Sequence, residues 1–428
     1  MKLLIHLYSF LYFCLAIPLL GILSLFNKKI REGFVGRFTQ NKKISKFLSN
    51  RIYKQTVLFH SSSVGEWEQS IPIIKKIKET NPNIHIVALF YSPSGMRHAR
   101  KNEVDISLYL PFDMIWIMKS FLKKISPSVW IISKYDIWPG ALCAAHSLDI
   151  PVLLASAELA EDSKRHTGLS ARINTCFYKH ITTIFPVSEE YKKRFLSVYP
   201  YPEKLIVAGD ARYEQIIEKA EQIATEPPVN IFTHPEPITI VAGSIWPADE
   251  KHILPAFLSI YKKNQETQFL LVPHELHESH ISALEEYFLN QSIATERYTD
   301  LQERKTTSDC RIVIVNTIGL LAKLYKGSSI AYVGGAFSSG VHNVAEPAVF
   351  GIPVLYGPKY INSHEAVQLQ KLKSGFPILN QTDCEEILSK LISNTEEREK
   401  IGKRAQDFVY SNKGATDIIM KEVQKYID

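Results

Sequence analysis

From residue 55 onward, short apolar runs alternate with longer stretches whose apolar positions recur every three to four residues, the succession of strands and helices. The runs "TVLFH", "IHIVALF", "ISLYL", "VWIIS", "PVLLAS" and "TIFPVS" predict six strands in the first half. "ITIVAGS", "FLLVP", "RIVIVN", "IAYVGG" and "PVLYG" predict five more in the second. Continuous runs of this kind suit strands of a parallel sheet with helices on both faces. Between the two sets, Glu218 to Pro237 holds four prolines within eleven residues, which argues for a linker. The expected layout is two facing doubly wound α/β domains, residues 55–217 and 238–405, joined by residues 218–237. Ligands would bind in the crevice at the carboxyl ends of the strands. Residues 406–428 read as a closing helix, and the helical tail from about Glu396 as a brace returning to the first domain.

Upstream, Leu3 to Phe26 ("LLIHLYSFLYFCLAIPLLGILSLF") is long enough as a helix to cross ~30 Å of hydrocarbon despite His6 and Pro18. No small-residue cleavage site follows it, so residues 1–26 read as a retained membrane anchor, with no part in the core of strands that begin near residue 55. A hairpin buried in the fold and a helix lying in the membrane plane are the alternatives. Residues 27–54 form a basic collar of nine Lys/Arg against one acid, Glu32; this segment carries +8 while the net charge of the chain is +6. Such a collar fits an anionic membrane surface, with the body held in the cytoplasm. Nucleic acid would instead be met by charge on the folded body with interleaved aromatics. Five scattered cysteines without a C-x-x-C pair point to a reducing compartment, and 45% hydrophobic with 22% charged residues excludes disordered and fibrous classes.

The chain lacks G-x-G-x-x-G after a strand, the P-loop pattern and a D-x-D pair, which argues against nicotinamide, P-loop and metal-bound nucleotide chemistry. "HELHESH" spaces His274, His277 and His280 by three residues and matches no H-E-x-x-H frame, so no metal is expected. Ser63-Val-Gly-Glu66 fits a capping box, in which Ser63 caps a helix and Glu66 reaches back. It also places a carboxylate beside Gly65 at a polar strand tip, where a general base would stand. Other polar strand exits carry Ser94, Gly95, Arg97 and Arg100, and Lys134 with Asp136. In the second half a strand ends at Gly334-Gly335, a loop holds His342 and Asn343, and Glu346-Pro347 opens a helix whose amides would face a phosphate. Glu346 suits the hydroxyls of a ribose, which points to a nucleotide sugar. Gly243 and Ser244 in "VAGSIWPADE" form the matching turn at the start of that half.

Together "HSSSVGE", "SPSG", "DIWP", "GDARYE", "AGSIWPADE" and "VGGAFSSGVHNVAEPA", in this order behind an apolar N-terminus, resemble the Kdo transferases. These membrane-associated enzymes attach 3-deoxy-D-manno-octulosonic acid to the lipid A precursor during lipopolysaccharide biosynthesis. The resemblance implies a GT-B fold of two Rossmann-like domains, CMP-Kdo as donor with no cofactor or metal, inversion at the anomeric carbon, and residence on the inner membrane through a single-pass N-terminal anchor. It implies Glu66 as catalytic base, with Ser63, Gly65, Ser94, Arg97, Lys134 and Asp136 toward the acceptor. Gly243, Ser244, His274, Gly334, Gly335, His342, Asn343 and Glu346 fall to the donor, as does Arg212, expected at its phosphate or carboxylate. Lys134 stands where many members have an acid, and His274-Glu275 where many have Arg-His. The rival functions are a sugar-nucleotide epimerase on the same scaffold and an inactive anchored scaffold.

Overall fold

The computed structural model describes residues 2–53, 55–99, 102–161, 163–234 and 238–427. Lys54 of the collar, Arg100, and Pro235 and Pro237 of the expected linker lie outside the described residues. The chain divides into two compact units, Met1–Gln215 with Asn412–Asp428, and Ile216–Ser411.

The first unit is built on six parallel strands, β1 (Thr56–Ser61), β2 (His85–Phe90), β3 (Ile106–Tyr109), β4 (Val129–Ser133), β5 (Val152–Ala157) and β6 (Thr183–Pro186). Their order is β3-β2-β1-β4-β5-β6, and each corresponds to one of the apolar runs in the sequence. The order reverses at β1, between β2 and β4, so the loops leaving β1 and β4 open a crevice at the carboxyl edge. The helix Ala415–Val423 belongs to this unit. Its Ala415, Ile419, Met420 and Val423 share an apolar cluster with Trp67 and Ile77 of the helix Val64–Thr80.

The second unit carries seven parallel strands, β7 (Ile238–Ile245), β8 (Thr267–Pro273), β9 (Glu296–Arg297), β10 (Ile312–Ile314), β11 (Ile330–Val333), β12 (Val354–Tyr356) and β13 (Gly375–Pro377), in the order β13-β12-β11-β7-β8-β10-β9. The edge strands β9 and β13 were not expected from the pattern, because two or three residues show no period. The expected linker begins too early. The helix Arg212–Thr225 runs through its first part, since Ile216, Ile217, Ala220 and Ile223 recur at helical spacing and are buried. Lys326 closes that helix by donating to the carbonyls of Ile223 (3.0 Å), Ala224 (3.0 Å) and Glu226 (2.5 Å), a cation at the negative end of the dipole. The boundary expected at 406 falls inside the helix Thr395–Ser411.

The apolar N-terminus is helical from Lys2 to Phe26, widening to a π-turn over Tyr12–Ala16 just ahead of Pro18, whose missing N–H breaks the ordinary ladder. Ile5–Phe26 is long and apolar enough to cross a membrane, and Phe10, Leu15, Leu19 and Phe26 are exposed. It is nevertheless tied to the first unit, contrary to the expectation of an anchor without a part in the core. Ile5 is only 3% exposed within that core. The Tyr8 hydroxyl donates to Asp113 Oδ2 at 2.7 Å, and Ser9 Oγ accepts from the Ile115 amide at 3.2 Å. The next helix, Lys28–Thr39, starts at Asn27, whose side chain accepts from the amides of Lys29 and Ile30. The collar is partly internal structure. Arg31 donates to the carbonyls of Ser24 and Leu25, and Gln40 pairs with both backbone groups of Tyr109.

Candidate active site

At the carboxyl edge of the first sheet, β1 runs into a serine-rich turn and the helix Val64–Thr80. Ser63 caps this helix, its Oγ accepting from the Glu66 amide at 3.3 Å. Glu66 reaches back as a capping box requires, but to the amide of Ser62 (2.7 Å) instead of that of Ser63. The capping role here belongs to a buried carboxylate. One oxygen is held by the turn, and a Cβ placed on neighbouring Gly65 would meet nothing within 4 Å, so the space beside it is open. Glu66 is 8% exposed. Burial raises its pKa, as does Asp136, against the lowering effects of the Ser62 amide, His60 and Lys134.

Asp136, from the loop after β4, sits across this turn. Its Oδ2 accepts from Ser62 Oγ and lies 2.5 Å from His60 Nε2, while His60 Nδ1 faces the Leu89 carbonyl at 3.2 Å. Burial alone would raise Asp136, but the bonds from His60 and Ser62 outweigh it and hold it at about 2. Two carboxylates at one strand edge are therefore driven apart, Asp136 toward the fixed anion and Glu66 toward a group able to exchange a proton. Lys134 bends into this edge with φ +70° and pairs with the half-buried Glu158 at 3.3 Å. Asp210 orients Arg212 at 3.1 Å and accepts from Gln69 at 3.0 Å. His60, Ser62 and Glu158 were not singled out in the sequence. His60 sits at the end of an apolar run, where it reads as core, and the roles of Ser62 and Glu158 emerge only from tertiary contacts. Ser94 and Arg97 lie apart on the helix Pro93–His98, with Arg97 turned toward Glu32 at 3.6 Å and largely exposed.

In the second unit, Gly243, Ser244, His274, Gly334, Gly335 and His342 converge at the ends of β7, β8 and β11. A Cβ on Gly334 would stand 2.2 Å from the Ser244 carbonyl oxygen. Gly335 has φ +97° and would bring a Cβ to 2.5 Å from the Gly340 carbonyl oxygen. Only glycine permits this turn. Asp249, fully buried, gathers the two loops by accepting from the amides of Trp246 and Gly335, each at 2.9 Å, and from the Tyr332 hydroxyl. The imidazole of His274 stacks on both Trp246 (4.4 Å) and His342 (4.6 Å), which lie side by side, the Trp246 indole N–H donating to His342 Nε2 at 2.9 Å. Burial and nearby His274 lower the His342 pKa. The helix expected to present amides to a phosphate is a single turn, Ala345–Ala348, and its Ala345 amide is already taken by Asn343 Oδ1. Asn343 also donates to Glu346 Oε1 at 3.4 Å, which keeps that carboxylate at the loop. Arg212 is not among these residues; it belongs to the first unit. His280 of the histidine-rich stretch lies 2.6 Å from Glu250, and among the described residues no three His, Cys, Asp or Glu are grouped to hold a metal.

Two doubly wound domains with polar loops collected at the strand ends make a fold of the GT-B type. The fold is shared with a putative UDP-N-acetylglucosamine 2-epimerase from Listeria monocytogenes (TM-score 0.59, 12% identity, covering 87% of this chain and 97% of that one). It is also shared with a glycosyltransferase from Rickettsia africae (TM-score 0.52, 15% identity, covering 87% and 98%). Residues 31–215 match the family model described as 3-deoxy-D-manno-octulosonic-acid transferase (kdotransferase). A 3-deoxy-D-manno-octulosonic acid transferase of Haemophilus influenzae is 23% identical over 386 residues, covering 87% of this chain and 88% of its own. The chain is thus similar to the Kdo transferases, in the family model over residues 31–215 and in the curated relatives over most of its length.

Proposed function

We propose that this chain moves Kdo from CMP-Kdo to a lipid A precursor with inversion, and that Glu66 is the base. The observation that carries this reading is the Glu66 carboxylate itself, fixed through one oxygen by the Ser62 amide and raised in pKa by burial and by nearby Asp136. Glu66 takes the proton from a glucosamine hydroxyl as that oxygen bonds to the anomeric carbon, and CMP leaves with the electron pair of the broken C–O bond. Asp136, kept ionised by His60, orients the turn that carries Glu66. A positioned base of this kind contributes roughly 10²–10⁴-fold, or about 3–5 kcal/mol.

The glycine turn at Gly334-Gly335, the His342 loop and Glu346 take the nucleotide, with Glu346 accepting from the ribose, and Arg212 meets the phosphate or the Kdo carboxylate. The departing phosphate is stabilised by side-chain and backbone donors, so the chemistry asks for no metal. The N-terminal helix anchors the protein in the inner membrane with the catalytic units in the cytoplasm, and Lys28 and Lys29 lie against anionic lipid. Incubation of the full chain with CMP-Kdo, with and without the lipid acceptor, tests this reading. Transfer and CMP release only with acceptor are expected. Conversion of the sugar nucleotide without acceptor would favour an epimerase, and no conversion at all an inactive scaffold.

A further inference from the structure

A cavity of about 200 Å³ lies in the first unit between the two N-terminal helices and the exit of β2. Its wall is apolar, formed by Leu20, Ile30, Phe34 and Phe112, and its polar side is formed by Lys29 and Arg37. Arg37 is a half-buried cation with an unusual set of partners. Its Nε donates to the Leu110 carbonyl (2.9 Å), Nη1 to Gly33 (2.7 Å) and Nη2 to Tyr91 (2.9 Å), and among the described residues no carboxylate pairs with it. Three of its five N–H groups are thus used, and its charge is met by carbonyl dipoles and by the rings of Tyr91, Tyr109 and Phe112. A half-buried guanidinium with two N–H groups left over and no carboxylate partner among the described residues is suited to an anionic ligand.

Two features indicate what visits. Tyr12 and Leu20 of the wall belong to the apolar helix whose other side is exposed, so the cavity is within reach of hydrocarbon. Tyr91 at its rim stacks on Trp138 at 5.0 Å, two residues beyond Asp136, so the cavity adjoins the edge that holds Glu66. We infer that this cavity takes one acyl chain of the anionic acceptor lipid, with Arg37 and Lys29 meeting a phosphate of the same molecule. The inference rests on the Kdo-transfer reading for the identity of the lipid.

The test uses the full chain in neutral detergent without any CMP-sugar, and a diglucosamine bisphosphate probe carrying a diazirine on one acyl chain. Light should attach the probe to peptides containing Leu20, Ile30, Phe34 or Phe112. Arg37→Gln should reduce that labelling at least about tenfold, the loss expected for one charge-assisted hydrogen bond. Leu20→Trp, which fills the cavity and leaves the guanidinium in place, should reduce it comparably, so the test survives if Arg37→Gln fails to fold. Labelling spread over exposed Phe10, Leu15 and Phe26 and indifferent to Leu20→Trp would overturn the inference. So would equal labelling of the cavity by a diazirine phosphatidylglycerol, or full displacement of the probe by inorganic phosphate alone. Kdo transfer by wild type without cavity labelling sinks the cavity assignment alone; labelling without transfer sinks the Kdo reading alone.

Discussion

Replacing Tyr8 by Phe removes one oxygen from the apolar helix and tests whether that helix is part of the first unit. The Tyr8 hydroxyl donates to Asp113 Oδ2 at 2.7 Å, and Asp113 also accepts from the amides of Gly140 (3.0 Å) and Ala141 (2.8 Å) at the start of the helix Pro139–His146. Burial raises Asp113 to about 6 against the lowering effect of these three bonds. At pH 8 the carboxylate is ionised and the lost bond is charge-assisted, worth about 1.5–3 kcal/mol. At pH 5 the group is mostly protonated and the loss falls toward the ~0.5–1.5 kcal/mol of a neutral bond. For a unit of this size the pH 8 loss corresponds to a fall in melting temperature of roughly 3–12 °C. Because the folded pKa is raised above its unfolded value near 3.9, the stability linked to Asp113 is present at low pH and lost as pH rises toward about 6. Without the Tyr8 donor the folded pKa rises further, so that loss extends to higher pH. Tryptophan fluorescence during unfolding in detergent is a suitable assay, since Trp67, Trp116, Trp130 and Trp138 all lie in the first unit and only Trp246 lies in the second. Equal stability of variant and wild type at pH 8, or a loss independent of pH, would refute the reasoning.

Deletion of residues 1–26 removes Ile5, Tyr8 and Ser9 at once and should leave the first unit markedly less stable in urea; an unchanged midpoint would restore the anchor to a passive role. Glu346→Ala should weaken CMP binding in calorimetry with little effect on acceptor binding, and an unchanged dissociation constant would place the ribose elsewhere. Gly335→Ala forces a side chain into φ +97° and against the Gly340 carbonyl; we expect a loss of at least about 1–2 kcal/mol in the second unit, seen in its melting. Because burial raises Glu66, kcat/KM should fall as pH drops through a pKa above the ordinary glutamate value of about 4.3, and an acid limb at or below that value would remove Glu66 as the base.

The strands of both units were legible because continuous apolar runs of five to seven residues mark buried parallel strands, and all eleven runs became strands. What escaped was short or decided by contact at a distance. β9 and β13 have no period to detect, and the helix Arg212–Thr225 was hidden by prolines that begin only at Pro227. The apolar N-terminus read as free-standing because hydropathy does not say which face is covered; Tyr8 and Ser9 were the polar atoms that could have raised the question. In the first site Glu66 and Asp136 were visible as polar residues at strand exits, whereas His60 was masked by its place in a strand. In the second, the glycine turn was plain, but the stack of Trp246, His274 and His342 joins residues nearly a hundred positions apart.

The central claim is that Glu66 acts as a base beyond its part in the helix cap, and Glu66→Gln separates the two. The glutamine carbonyl oxygen can still accept from the Ser62 amide, so the cap and the fold persist while the basic oxygen is lost. Single-turnover transfer from CMP-Kdo to the lipid acceptor should slow by at least about 10²-fold with CMP affinity unchanged; transfer at the wild-type rate by a folded Glu66→Gln protein would contradict the account and leave Glu66 only its structural role.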